Sequence, residues 1–193
     1  KQILDRYHLT PGYMYHGGGL EIRKNTAGLL RAYRMLKEKS ETGRLPKLVI
    51  SGRIHAKGNK LATPVQQLLS DLDLEQDVVL LDFVPESDLP ALYRNALFFA
   101  YPSRYEGFGL PILEAMTQGT PVLTADNSSL SEVAGRSALY IDAENDESIA
   151  SGLERMLADE TLRKQLSVAG QEDSKRFHWD SFVSTIIHCV THS

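Results

Sequence analysis

Short apolar, β-branched or aromatic runs alternate with longer stretches of helical period, which predicts a doubly wound α/β domain built on a parallel sheet. Two further observations support that class. The runs are apolar throughout rather than on alternate residues, as in strands covered on both faces. Turn-forming residues punctuate the chain without an internal repeat or a low-complexity linker, so residues 1–193 read as a single Rossmann-like domain.

In order, Tyr13–His16 reads as a strand, followed after a Gly-rich turn by a helix from about Thr26 to Lys39, whose inward stripe is Leu29, Leu30, Tyr33 and Leu36. Lys47–Ser51 is a buried strand and Pro64–Leu72 a helix. Val78–Leu81 is the third strand, with a short helix Ser87–Asn95, and Leu97–Tyr101 is the fourth. A helix over Pro111–Gln118 leads to strands at Pro121–Thr124 and Ala138–Ile141. Helices from about Glu147 to Ala158, from Thr161 to Arg176 and from Trp179 onward finish the chain.

With 42% hydrophobic and 24% charged residues the composition excludes a disordered tail, a collagen-like fibre and a disulfide-stapled mini-protein. A lone Cys189 excludes an internal disulfide and a thiolate zinc site, and suits a reducing compartment. No apolar run approaches the roughly 20 residues of a membrane span. The start Lys1-Gln2-Ile3-Leu4 has neither an initiator Met nor a signal-peptide pattern, which suggests a piece of a longer, cytoplasmic protein.

Residues 1–60 carry 13 Lys and Arg against 4 Asp and Glu, although the whole chain has a net charge of -4. A basic first third can attract an anionic ligand, but Arg31, Arg34, Lys37 and Lys39 share one helix and read as a solvated face. The cations are not interleaved with aromatics, so no nucleic-acid partner is expected. His55, His178, His188 and His192 lack the spacing of a metal-binding helix. Phe98, Phe99 and Tyr101 read as buried strand rather than as a stacking platform.

In a doubly wound sheet the ligand sits where the carboxyl ends of the strands run into loops. The densest such loop holds Glu106-Gly107-Phe108-Gly109-Leu110-Pro111 and then Glu114. Its glycines strip side chains from a turn that opens into a helix, where free N–H groups and the helix dipole favour a phosphate or sugar oxygen. Glu106 and Glu114, eight residues apart, can both face one crevice, and a carboxylate accepts two hydroxyl hydrogen bonds at once. By spacing alone a tight turn with one capping and one solvated Glu fits equally well. Asp126-Asn127-Ser128-Ser129 reads as a helix cap.

His16-Gly17-Gly18-Gly19 is similar to the oxyanion-hole loop of lipases and esterases, but no G-x-S-x-G nucleophile elbow accompanies it. The dinucleotide fingerprint G-x-G-x-x-G and the Walker lysine motif are absent as well.

The run from Tyr101-Pro-Ser-Arg-Tyr-Glu106-Gly-Phe-Gly-Leu-Pro through Glu114-Ala-Met to Gly119-Thr-Pro-Val resembles the E-x7-E signature of the retaining glycosyltransferases of family four. The likeness continues through Ser131–Gly135, Ala138–Tyr140 and Asp142, and takes in Gly17–Asn25 and Phe83–Tyr93 upstream. It covers almost the whole chain.

The resemblance implies the C-terminal, donor-binding half of a two-domain GT-B enzyme that moves a hexose from a nucleoside diphosphate with retention. Glu106 would hold donor hexose hydroxyls and Glu114 the ribose; the amides of Phe108, Gly109 and Leu110 would contact sugar and diphosphate; and Val84 would lie against the base. Arg23 and Lys24 would bring two cations to the diphosphate.

Many members carry an Arg after the first glycine of the first turn, where this chain has Gly18. It resembles instead the Glu-x-Arg-Lys-Asn variant, Glu21 to Asn25, in which Arg23 takes over that cation's work; Arg53 is a second candidate or a solvated loop residue. The variant points toward GDP-mannose. The resemblance calls for no metal or other cofactor. It implies as partners a nucleotide sugar, an N-terminal domain absent from this chain and an acceptor glycan or lipid-linked sugar, any membrane attachment lying in the absent half. A sugar-nucleotide epimerase of similar architecture and a non-catalytic nucleotide-sugar-binding module are the alternatives.

Overall fold

Six strands without an interior charge pair side by side in a computed structural model that describes residues 2–41, 44–55 and 59–178. They are β1 (Tyr13–His16), β2 (Leu48–Ser51), β3 (Val78–Leu81), β4 (Ala96–Tyr101), β5 (Val122–Ala125) and β6 (Ala138–Ile141). All are parallel, in the order β3-β2-β1-β4-β5-β6. Each parallel step needs a crossover, which the helices provide.

The helices are α1 (Gln2–Arg6), α2 (Thr26–Lys39), α3 (Val65–Asp71), α4 (Leu89–Asn95), α5 (Leu110–Thr117), α6 (Leu130–Ala134), α7 (Asp146–Ala158) and α8 (Glu160–Ser174). Contacts of α2 with α3 and α7, and of α5 with α4 and α8, gather them into two layers around the sheet. Gly152 of α7 sits so close to the sheet that a Cβ would stand 2.9 Å from Leu123 Cδ1, so a side chain there would force the layers apart.

The expected strands and long helices are present, with ends shifted by a residue or two. The five-residue helices α1 and α6 and the 3-10 turn Ile22–Lys24 were not expected, since segments this short carry no readable periodicity. The helix expected from Trp179 onward, with His188, Cys189 and His192, lies outside the described residues. No helix among the described residues is long and apolar enough to cross a membrane.

Aromatic side chains fill the core, and each buried phenol finds an acceptor or partner. The Tyr13 hydroxyl donates to the Leu92 carbonyl at 2.7 Å, and Tyr15 and Ser51 share a 2.6 Å bond. The basic face of α2 is a paired surface: Arg31 meets Asp146, Arg34 meets Glu38 and Lys37 meets Asp77. That is the solvated-face reading of these cations.

Strand order reverses between β1 and β4. The loops after these two strands therefore part in opposite directions, and a crevice opens at their carboxyl ends. The glycine turn at 17–19 and the Glu106 loop flank it.

Candidate functional site

The glycine turn after β1 and the start of α5 meet across this switch point. Gly18 has φ +91, and a Cβ on it would stand 2.9 Å from Pro111 Cγ and 3.5 Å from the Tyr101 hydroxyl. Gly52, after β2, closes on the same turn from the other side, where a Cβ would lie 2.9 Å from the Gly19 Cα. The obstructing atoms are backbone and cannot swing away. Gly52→Ala is therefore expected to cost about 2 kcal/mol of stability, whereas Gly107→Ala should change it by less than about 0.5 kcal/mol. A Cβ at Gly107 meets nothing. Equilibrium urea unfolding of the two variants checks the contrast.

Gly109, at φ +101, caps α5 in a left-handed conformation. The amides of Phe108, Gly109 and Leu110 find no backbone or side-chain acceptor among the described residues. They form a small nest of free donors at a helix N-terminus beside the glycine turn.

Glu106, two residues before this nest, has its side chain 7% exposed. Arg23 Nη1 stands 2.6 Å from its Oε2, and Lys24 Nζ 2.9 Å from its Oε1. The Tyr101 hydroxyl donates to Oε1 at 2.7 Å and itself accepts from Lys24. The Ser103 hydroxyl lies 2.8 Å from Oε1 and shares its hydrogen with the Arg23 carbonyl at 3.0 Å. Burial by itself would raise the Glu106 pKa, but the donors Tyr101, Lys24, Arg23 and Ser103 outweigh it and hold the carboxyl below its ordinary range. Burial also lowers the basicity of Arg23, yet Glu106 beside it leaves the guanidinium more firmly protonated than usual.

The triplet Arg23-Lys24-Asn25 divides its work. Arg23 is 43% exposed and Lys24 5% exposed. Asn25, left-handed at φ 56, caps α2 by accepting from the Gly28 amide and donates to the Ala143 carbonyl at 2.7 Å. Glu21 folds back over Gly19, and its Oε2 is buried with no hydrogen-bond partner among the described residues.

Glu114 occupies a separate place. It accepts from the Tyr93 hydroxyl at 2.9 Å and lines a cleft of about 240 Å³ with Glu86, Leu89 and Pro90. Desolvation raises its pKa, the Tyr93 bond partly opposes this, and Glu86 adds to the rise. The spacing suggested that both carboxylates face one crevice; in the folded chain Glu114 faces this cleft, which Glu106 does not line, and Glu106 is turned onto the protein's own donors. A roomier cleft of about 400 Å³ lies elsewhere, between α3 and the segment around Ile54, His55 and Asn59, and contains none of the candidate residues.

Val84 is packed into the core, while Phe83 next to it is 69% exposed. Arg53 is exposed beside Gly52 and makes no ion pair among the described residues. His16, read as a strand-end residue, is fully buried, donating from Nδ1 to the Ala100 carbonyl at 2.9 Å. Its Nε2 therefore accepts from the Thr26 hydroxyl, also at 2.9 Å.

The capping role expected for Asp126–Ser129 is corrected. Ser129 makes no side-chain cap bond to α6; its hydroxyl donates to the Glu106 carbonyl at 3.0 Å. The Ser128 hydroxyl accepts from the Glu106 amide at 3.1 Å, and Asn127 donates to the Ser103 carbonyl. This loop follows β5, the neighbour of β4, so its side chains reach the Glu106 loop before their own helix. Sequence reasoning also missed Tyr101 and Ser103 as part of the site. The available signal was their position at the carboxyl end of β4.

Fold and site together define a doubly wound α/β domain with a glycine turn, a row of free amides and the ion-paired Arg23, Lys24 and Glu106 at its switch point. The chain belongs to the family of glycosyl transferases group 1, whose model matches residues 9–173. It is 37% identical over 187 residues to the O-antigen chain mannosyltransferase B of Escherichia coli, an alignment covering 96% of this chain and 48% of that protein. The chain thus spans about half the length of this relative.

Solved structures share its fold. The C-terminal domain of the glycosyl transferase group 1 family protein LpcC from Francisella tularensis superposes with a TM-score of 0.73 at 21% identity, covering 91% of this chain and 90% of that one. Anabaena HepE in complex with UDP and glucose superposes with a TM-score of 0.82 at 19% identity, covering 98% of this chain and 51% of that one.

Proposed function

We propose that this chain is the donor-binding half of a retaining mannosyltransferase, which moves mannose from GDP-mannose to a hydroxyl of an acceptor glycan or lipid-linked sugar. The observation that carries the reading is the joint placement of Arg23, Lys24 and Glu106 beside the free amides of Phe108, Gly109 and Leu110. The mannosyltransferase name of the Escherichia coli relative supports the hexose, and the UDP and glucose in complex with HepE support a nucleotide-sugar crevice on this fold.

As the glycosidic bond breaks, negative charge grows on the leaving diphosphate. Lys24 and the three amides would hold fixed positions beside that charge, and Arg23, on its exposed side chain, would join them, lowering its energy without a metal. Glu106 would take hydroxyls of the hexose and Glu114 those of the ribose. The Val84 loop, with exposed Phe83, would lie against the base. Gly18, having no side chain, lets the turn close on Pro111 at the start of α5, and Arg53 is exposed on the loop after β2. The acceptor site would belong to an N-terminal domain, so the isolated chain would bind nucleotide without transferring sugar. A cytoplasmic enzyme, attached to a membrane if at all through that other domain, accords with a cytosolic nucleotide sugar.

Calorimetric titration of this chain with GDP, UDP and ADP, without added metal, tests the reading. Selective binding of GDP is expected, and GDP-mannose titrated in the same way should bind Arg23→Ala about tenfold more weakly, through the loss of one charge-assisted hydrogen bond. Absence of binding by all three, in this chain and in the longer protein alike, would overturn it.

A further inference from the structure

The two oxygens of Glu106 are not equivalent. Oε1 is saturated: the Tyr101 hydroxyl at 2.7 Å, Ser103 at 2.8 Å and Lys24 at 2.9 Å all converge on it. Oε2 is bound by Arg23 at 2.6 Å. A ligand hydroxyl can therefore address Glu106 most readily at Oε2, the oxygen that Arg23 covers. Lys24 is 5% exposed and wedged between Glu106 and the Tyr101 hydroxyl, whereas the Arg23 side chain is 43% exposed. Its other side-chain hydrogen bond among the described residues is a 3.1 Å donation to the Tyr105 carbonyl, on the surface. The long, exposed cation is free to swing; the buried one is not.

The place Arg23 could swing to is close by. A Cβ at Gly18 would be 3.5 Å from the Tyr101 hydroxyl, which is itself 2.7 Å from Glu106 Oε1. The glycine turn and the free amides of α5 are thus within the sweep of an arginine side chain.

Resting on the donor-site reading above, we propose that Arg23 is a latch exchanged between the two halves of the donor. The diphosphate draws Arg23 off Glu106, and a hydroxyl of the hexose takes the vacated Oε2. Neither half completes the exchange alone, because a diphosphate that took Arg23 without a sugar to follow would leave a buried carboxylate oxygen bare. After transfer the hexose is gone, Oε2 draws Arg23 back, and the diphosphate loses a cation. Intact donor is held and spent nucleotide is let go by the same ion pair. Arg23 is then a positioning residue for the hexose as well as a ligand of the diphosphate.

The test is a mutant cycle read by calorimetry on this chain with GDP and GDP-mannose, or with UDP and UDP-glucose should the nucleotide panel select uridine. Glu106→Gln keeps the side-chain shape and releases the latch. The expected result is that the spent nucleotide binds Glu106→Gln about tenfold tighter than wild type, the worth of one charge-assisted hydrogen bond. The gain should vanish when Arg23→Ala is added. The preference for nucleotide sugar over nucleotide should shrink in Glu106→Gln.

A second measurement needs no variant at Glu106. The nitrogen-15 resonance of the Arg23 guanidinium, assigned with Arg23→Lys, should move with nucleotide sugar and stay in place with nucleotide alone. If wild type binds nucleotide and Glu106→Gln binds it no tighter, or the gain persists without Arg23, or the Arg23 resonance responds equally to both ligands, the latch is overturned and the donor site stands. If neither nucleotide nor nucleotide sugar binds wild type, the donor-site reading falls and the latch with it.

Discussion

Glu106→Ala is expected to lower the unfolding free energy by about 3 kcal/mol, the low end of what breaking a buried ion pair costs. The loss goes beyond one contact. Lys24, 5% exposed, and the Tyr101 hydroxyl would both be left without their shared acceptor. Glu106→Gln, which keeps an acceptor oxygen for Tyr101, should lose about half as much. Glu114→Ala makes a useful contrast, since this carboxylate takes one hydroxyl hydrogen bond, from Tyr93, and burial already works against its charge. Its expected cost is about 1 kcal/mol. Urea midpoints of the three variants check the ranking, and a loss below about 1 kcal/mol for Glu106→Ala would count against the ion-pair account. In the longer protein the same variant is expected to reduce transfer by about a hundredfold or more, if the carboxylate aligns the hexose as proposed.

Acidification from pH 7 to pH 4 is expected to remove roughly 3 kcal/mol of stability through His16. Desolvation is the main cause: the ring is fully buried, and its pKa is pushed down to about 4. The bond to the Ala100 carbonyl opposes this, and nearby Lys24 adds to it. In the unfolded chain the same ring takes a proton near pH 6.5, so stability is complete above that pH and falls away as pH drops toward 4. Glu106, held below the ordinary carboxylate range, extends the loss to lower pH. Glu114, raised by burial, takes its proton early in the folded state and offsets a little. Urea midpoints at pH 7, 5.5 and 4 check the slope. His16→Asn should be less stable at pH 7 and flatter between pH 6.5 and 4; equal slopes for the two proteins would exclude His16 as the source.

Much of the fold is legible in the sequence because the strands announce themselves. Leu48–Ser51, Phe98–Tyr101 and Val122–Ala125 are apolar or β-prone throughout and bounded by turn residues, so their existence follows from local patterning. The short α6 does not, since five residues hold little more than one helical turn. The candidate site is legible in its residue types, and Glu106, Arg23 and Lys24 do assemble. The common open crevice that the spacing of Glu106 and Glu114 suggested is not what the two carboxylates line, because Glu106 Oε1 is filled by Tyr101 at the end of β4, by Ser103 of its own loop and by Lys24.

Serines 128 and 129 show the limit most clearly. Read locally, Asp126–Ser129 is a cap; in the folded chain both hydroxyls serve the Glu106 backbone, 22 and 23 residues away. His16 is similar, since its partner Ala100 lies 84 positions on. The sequence by itself determined the class of fold, the places where loops could bind a ligand and the residue types offered there, because these depend on periodicity and turn chemistry within a few residues. Only the tertiary structure decided that Arg23 and Lys24 face Glu106, that Ser128 and Ser129 support its loop and that His16 is neutral and buried. Those facts depend on β1 pairing with β4 and β4 with β5, and strand order is set by packing across the whole sheet, which no local window of sequence contains.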